Sequence, residues 1–115
     1  MVSPFPFQPL SPDACASPQL EPEAMQSVAQ AGFRSVINNR PDFEGGPTQP
    51  THQALQEAAL NAGLEYAYLP VTPGQITDKH AHDLAVLLTT LPKPVLLFCR
   101  SGARSSYLYQ LANQA

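Results

Sequence analysis

The sequence predicts a three-layer α/β/α domain built on a mostly parallel central sheet. Helix-like and strand-like segments alternate from residue 21 to the end, the pattern of layered α/β folds. The stretch Val95–Phe98 is apolar without alternation, as expected of a strand covered on both faces. The length, 115 residues, suits a single domain over residues 1–115 with one modest core.

The elements follow in order. A first helix starts near Glu21-Pro22-Glu23, where proline suits the first turn and acidic residues complement the helix dipole; Gly32 stops it. Ser35–Asn38 reads as a short strand, broken by Asn39-Arg40-Pro41-Asp42. Residues 42–50, DFEGGPTQP, are loop by composition. A second helix runs from Thr51, a plausible cap, to Ala62, with Leu55, Ala58, Ala59 and Ala62 at helical spacing. Tyr66–Val71 is the next strand. A third helix spans about Thr77 to Leu91, capped by Thr77 and facing the core through Leu84, Leu87, Leu88 and Leu91. After Val95–Phe98, a fourth helix begins in the loop following Cys99. Crossovers between such parallel strands are right-handed.

The start of the chain is different. Six of the 13 prolines lie in the first 22 residues, so this region is extended and turn-rich rather than helical. Residues 1–12 form a proline-rich segment expected to be ordered in part, because Phe5, Phe7, Leu10 and Leu20 offer anchors to the core.

Composition excludes several classes. A net charge of −3 argues against a nucleic-acid binder. No apolar run approaches the ~20 residues needed to span a bilayer. With two cysteines and no basic-then-apolar leader, a cytoplasmic protein with reduced thiols is the expectation. The charges are unevenly spread, however. All nine acidic residues lie at or before Asp83, and from residue 84 onward the charges are Lys93, Arg100 and Arg104.

Cys99 sits in that positive third. In open α/β sheets, ligands bind beyond the carboxyl ends of the strands, and Cys99 is at such an end, immediately before a helix. The N–H groups of residues 100–105 are the unpaired donors of that helix start. Gly102 lets the loop curl so that these donors converge, a nest that binds anions and depresses a thiol pKa. Arg100 and Arg104 add full charges. Ser101, Ala103, Ser105 and Ser106 are small enough to leave the loop open. Cys99 and Arg104 are therefore the candidate catalytic pair, and Arg100, Ser101, Gly102, Ala103 and Ser105 the candidate anion-binding set. Arg40, at the end of the first core strand, either joins that pocket or bridges loop acceptors.

The loop C-R-S-G-A-R matches the C-x-x-G-x-R active-site loop of rhodaneses. Cysteine-dependent phosphatases carry C-x-x-G-x-x-R, one residue longer; here that later position is Ser105. Over residues 10–112, the segments SPQLEPE, AGFRSVINNRPDFEGGPTQP, AGLEYAYLPV and PVLLFCRSGARSS resemble the beta-lactamase hydrolase-like, or DUF442, family. That resemblance implies a fold like that of dual-specificity phosphatases. It also implies sulfurtransferase activity and, as partners, persulfide dioxygenases or sulfide:quinone oxidoreductases.

Four residues rather than five separate Cys99 from Arg104, a tighter ring that suits one sulfur atom better than a phosphate. A phosphatase of this fold also needs a carboxylic acid to protonate its leaving group. The loop P-V-T-P-G-Q-I-T has none before Asp78, which suits a helix start; Asp42 is the other candidate acid and equally suits a turn. The expected function is sulfur transfer from thiosulfate or glutathione persulfide through a Cys99 persulfide, with sulfite or a thiol completing the exchange. The alternatives are a phosphatase using Cys99 as nucleophile, and a non-catalytic module whose nest binds an anion or a partner. No cofactor or metal is expected. His80 and His82 are two apart and share no helix face, and His52 is distant in sequence. Cys15 reads as structural, with a resolving thiol as the alternative.

Overall fold

Val95–Phe98 (β5) forms the middle of a five-stranded sheet in the computed structural model, which describes residues 6–114. The other strands are Gln8–Ser11 (β1), Ala14–Ser17 (β2), Ser35–Asn38 (β3) and Glu65–Tyr68 (β4), in the spatial order β1-β2-β5-β3-β4. β2, β5, β3 and β4 run parallel, and β1 turns back antiparallel on the outer edge of β2. The helices are Met25–Gln30 (α1), entered through a 3-10 turn at Pro22–Ala24, then His52–Asn61 (α2), Asp78–Thr90 (α3) and Ala103–Gln114 (α4).

Alternation along the central strands sorts the core into two layers. Val36, Leu96 and Phe98 face α1 and α2, where they meet Met25, Val28, Leu55 and Ala59. Ile37, Val95 and Leu97 face α3 and α4, against Ala81, Leu84, Leu108 and Ala112. Because both faces are covered, β5 carries no polar side chain, which explains its continuous apolar run.

The caps follow from local chemistry. Thr51 Oγ1 accepts from Ala54 N–H at the start of α2. Thr77 Oγ1 accepts from His80 N–H, and His80 Nδ1 accepts from Thr77 N–H in return, closing a capping box. His80 is thus a capping residue.

The proline-rich start is more than an extended, turn-rich segment: it contains the β1–β2 hairpin. Pro9 is tolerated because β1 is an edge strand. Phe7 packs edge-on against Phe33 at 5.3 Å, Leu10 lies against the α3–α4 core and Leu20 is buried with α1; Phe5 lies outside the described residues. The fourth strand ends at Tyr68 rather than Val71. Leu69 and Val71 still donate to the carbonyls of Asn38 and Asn39, but Pro70 between them has no N–H. Cys15 pairs in register with Leu96, three residues before Cys99. At ~3.3 Å per strand residue that offset exceeds the ~7 Å limit for a disulfide, so Cys15 is not placed to resolve Cys99.

Leu97 is fully buried between the sheet and α4. Leu97→Ala is expected to lower stability by about 2–5 kcal/mol, read as a shift in the urea midpoint with an unchanged slope.

Candidate active site

Cys99 is the first residue beyond β5, and its position is fixed from both sides. Phe98 lies opposite Ser17 of β2 and Asn38 of β3, so the strand exits between the Ser17-Pro18 and Asn38-Asn39 corners. The chain then turns into α4, whose first residue is Ala103. Cys99 is 1% exposed.

The sulfur faces the open start of α4. Gly102 N–H donates to Cys99 Sγ at 3.0 Å. Burial pushes the thiol pKa up, but hydrogen bonds from the Ser105, Gly102 and Ser101 backbone N–H groups outweigh it and hold the pKa below the usual thiol range. The Ser105 hydroxyl has one proton, and Asn39 Oδ1 takes it at 2.8 Å. With that proton engaged, the backbone N–H groups carry the stabilisation of the thiolate.

Gly102 is required twice. Its φ of +96° favours glycine, and an added Cβ would stand 3.3 Å from the carbonyl carbon and oxygen of Ser17. The strand-to-helix turn therefore passes directly beneath the end of β2. Gln19 N–H donates to Arg100 C=O at 3.1 Å and ties the two segments together.

Asn39, fully buried, organises the opposite wall. Its N–H donates to Phe98 C=O at 2.8 Å, its carbonyl accepts from Val71 N–H, its side-chain amide donates to Leu69 C=O, and its Oδ1 accepts from Ser105. The sequence reading treated Asn39 only as part of a turn.

The guanidinium of Arg104 is engaged within the chain. Its Nη1 and Nη2 grip the two carboxylate oxygens of Glu44, each at 3.0 Å, and Nη1 also donates to Val71 C=O. Arg40 Nε donates to Glu44 Oε1 at 2.9 Å, and its Nη1 to Gln19 Oε1. Arg40 thus bridges loop acceptors and also lines the pocket. Burial raises the Glu44 pKa, but the hydrogen bonds and charges of Arg104 and Arg40 hold it below the ordinary carboxylate range. Arg100 is exposed, and among the described residues its guanidinium makes no hydrogen bond or ion pair. Arg40, Arg100 and Arg104 line an open cleft of about 620 Å³ together with Glu44, Gly45, Thr72 and Pro73. Glu44 and Gln19 went unnoticed in the sequence, because nothing local marks partners so far along the chain.

Glu44 is delivered by a bent loop. Phe43 has φ +65°, a strained value for a bulky residue that costs about 1–3 kcal/mol, and it is 68% exposed. Gln49 holds the loop, accepting from Gly45 N–H and donating to Pro41 C=O. Gly45 leaves room for the Arg40 guanidinium: an added Cβ would lie 2.7 Å from Arg40 Nη2 and displace it.

Neither candidate acid is set at the thiol. Asp42 Oδ1 accepts from His52 N–H at 2.7 Å, so its carboxylate serves the start of α2. Asp78 opens α3 and lines a separate cleft with Ala81, His82, Leu111 and Gln114. Ser101 and Ala103 are exposed beside the loop; Ser106 donates to Gly102 C=O through both its N–H and its hydroxyl. Among the described residues, no three metal-ligating side chains converge. His52 stacks on Tyr68 at 4.1 Å.

This geometry has relatives. The family model for the beta-lactamase hydrolase-like protein, phosphatase-like domain, matches residues 6–115. The chain belongs to that family. Beta-lactamase hydrolase-like proteins of Xylella fastidiosa strain Temecula1 and Agrobacterium fabrum strain C58 are 41% and 35% identical over 86 and 85 residues. Those matches cover 75% and 74% of this chain but 20% of each relative, so the chain spans about a fifth of their length. Among solved structures, a "putative phosphatase" from Neisseria meningitidis Z2491 superposes with a TM-score of 0.82 at 31% identity, covering 89% of this chain and 72% of that one. Pseudomonas aeruginosa TpbA, solved in complex with pTyr, shares the fold at 14% identity, with a TM-score of 0.70 over 99% of this chain and 67% of that one. The phosphatase-like fold that the sequence resemblance implied is the fold of this family.

Two outcomes test the thiol's environment. The rate of Cys99 alkylation by iodoacetamide is expected to rise with pH through a midpoint below the ~8.5 of a free thiol and then level off. Gly102→Ala, by tilting the N–H groups away, moves that midpoint upward and slows alkylation at pH 7.

Proposed function

We propose that this domain is a cysteine-dependent enzyme of the phosphatase class, in which the Cys99 thiolate attacks a small tetrahedral oxyanion. The observation that carries the reading is the buried Cys99 sulfur facing the N–H groups at the start of α4, with its pKa depressed. Such an arrangement supplies a nucleophile and a fixed set of donors for the oxygens around the attacked atom. The phosphatase-like solved relatives favour phosphate-ester hydrolysis over the sulfur transfer expected from the loop sequence.

The steps follow from these groups. Thiolate Cys99 attacks phosphorus, a sulfur–phosphorus bond forms, and the bond to the leaving oxygen breaks. Water then attacks phosphorus, releasing phosphate and restoring the thiolate. The N–H groups at the start of α4 stabilise the oxygens in both steps, and the arginine-lined cleft draws the anion in. Glu44, the carboxylate that lines the cleft, is held ionised by Arg40 and Arg104 and has no proton to give. The substrate's leaving group must therefore depart without one. That selects aryl phosphates, with leaving-group pKa of about 10, or phosphoanhydrides, over alkyl phosphates.

A second reading rests on its own observation. The C-x-x-G-x-R spacing and the lack of a general acid fit sulfur transfer, because sulfite and thiolates leave unprotonated. In that reaction Cys99 attacks the outer sulfur of thiosulfate, the sulfur–sulfur bond breaks, and sulfite leaves with the electron pair. Sulfite, a thiol or a partner enzyme handling persulfides then removes the sulfur from Cys99. Glutathione persulfide serves as donor by the same displacement.

One comparison separates the two. The protein is incubated with phenyl phosphate, glycerol phosphate and thiosulfate, and its intact mass and product release are followed. Phosphate release from phenyl phosphate, at least tenfold faster than from glycerol phosphate and abolished by Cys99→Ser, is the expected result. A gain of one sulfur atom on Cys99 from thiosulfate, with neither phosphate ester turned over, would assign sulfur transfer instead.

A further inference from the structure

The cleft beside Cys99 gathers three fixed positive charges around one internal carboxylate. Arg40, Arg100 and Arg104 all line it, and an arginine cannot shed its charge. Glu44 balances one of the three, leaving two. Glu44 also grips Arg104 as a ligand carboxylate would, with two parallel N–H···O contacts at 3.0 Å each, and takes a third hydrogen bond from Arg40. It sits on a loop bent through the left-handed Phe43, and its side chain is 22% exposed, so it lies at the surface of the cleft rather than sealed in the core.

We propose that Glu44 occupies a second anion site, and that the substrate carries a further carboxylate or phosphate that takes its place on Arg104 and Arg40. The inference rests on the reading that the start of α4 receives a tetrahedral oxyanion at Cys99. Arg100 immediately follows Cys99, and Arg104 stands five residues on in the first turn of α4, so one molecule can span the sulfur and the cleft. The substrate class is then a bis-anion: one tetrahedral group over the thiolate, and one acidic group displacing Glu44. Glu44 keeps Arg104 neutralised and in place while the cleft is empty, and it competes with every ligand that enters. A single-headed phosphate gains nothing from Arg104, because Glu44 stays where it is.

The test is binding rather than turnover. Phenyl phosphate and 4-carboxyphenyl phosphate are titrated into the Cys99→Ser protein by calorimetry at fixed ionic strength, since attraction into an open charged cleft is weakened by salt. The expected result is at least tenfold tighter binding of the carboxylated ligand. In the same background, Glu44→Gln removes the competing carboxylate and widens the ratio between the two ligands. A Glu44 that only braces the loop gives the opposite sign, a ratio that narrows, and overturns the displacement. Equal binding of both ligands to the Cys99→Ser protein overturns the second site and leaves the oxyanion at Cys99 standing. If neither ligand binds, the phosphate reading and the bis-anion substrate fall together.

Discussion

One buried residue, Asn39, holds the edge of the sheet beside Cys99 together. Its four hydrogen-bonding groups reach the end of β5, the segment after β4 and the first turn of α4. A buried amide is costly unless each of its groups is satisfied. The strand ends and α4 must therefore arrive in one arrangement, and that arrangement sets Ser105, and with it the N–H groups facing Cys99. The apolar layers on the two faces supply most of the driving force for folding. That force is non-directional, so by itself it does not set the polar groups at this edge. The polar knot at Asn39 does.

Much of this was legible in the chain. The order of helices and central strands, the caps at Thr51 and Thr77, and the place of Cys99 at a strand exit all rest on interactions within a few residues. The β1–β2 hairpin was not legible. Its strands, QPLS and ACAS, are four residues each with no clear alternation, and prolines suggest an irregular tail. What makes them strands is the exposed flank of β5, which only the folded protein presents. Glu44 was equally hidden: its bond to Arg104 spans 60 positions, and that of Asn39 to Ser105 spans 66. The loop count from Cys99 to Arg104 was read correctly from the sequence. What the arginine grips was not, because its partner Glu44 lies 60 positions away in the chain.

The distribution of charge also acquires a meaning. The C-terminal third brings Arg100 and Arg104 to the cleft, and the β3–α2 loop supplies both the third arginine, Arg40, and the one carboxylate, Glu44. Positive charge attracts an anionic ligand; one internal carboxylate keeps the empty cleft from being as strongly cationic as its arginines alone would make it. Affinity and selectivity are thereby separated, since a ligand is rewarded only where it does better than Glu44.

The contact between Gly102 and Ser17 carries a consequence of its own. Backbone there lies against backbone, with no side chain between to absorb a change. The hairpin thus fixes the turn after Cys99 at one point, Gly102, where a side chain would have to push the two backbones apart. Its neighbour Ser101 instead borders an open hollow of about 230 Å³ against Phe7 and Gln8, so a larger side chain is accommodated one residue away from where none is.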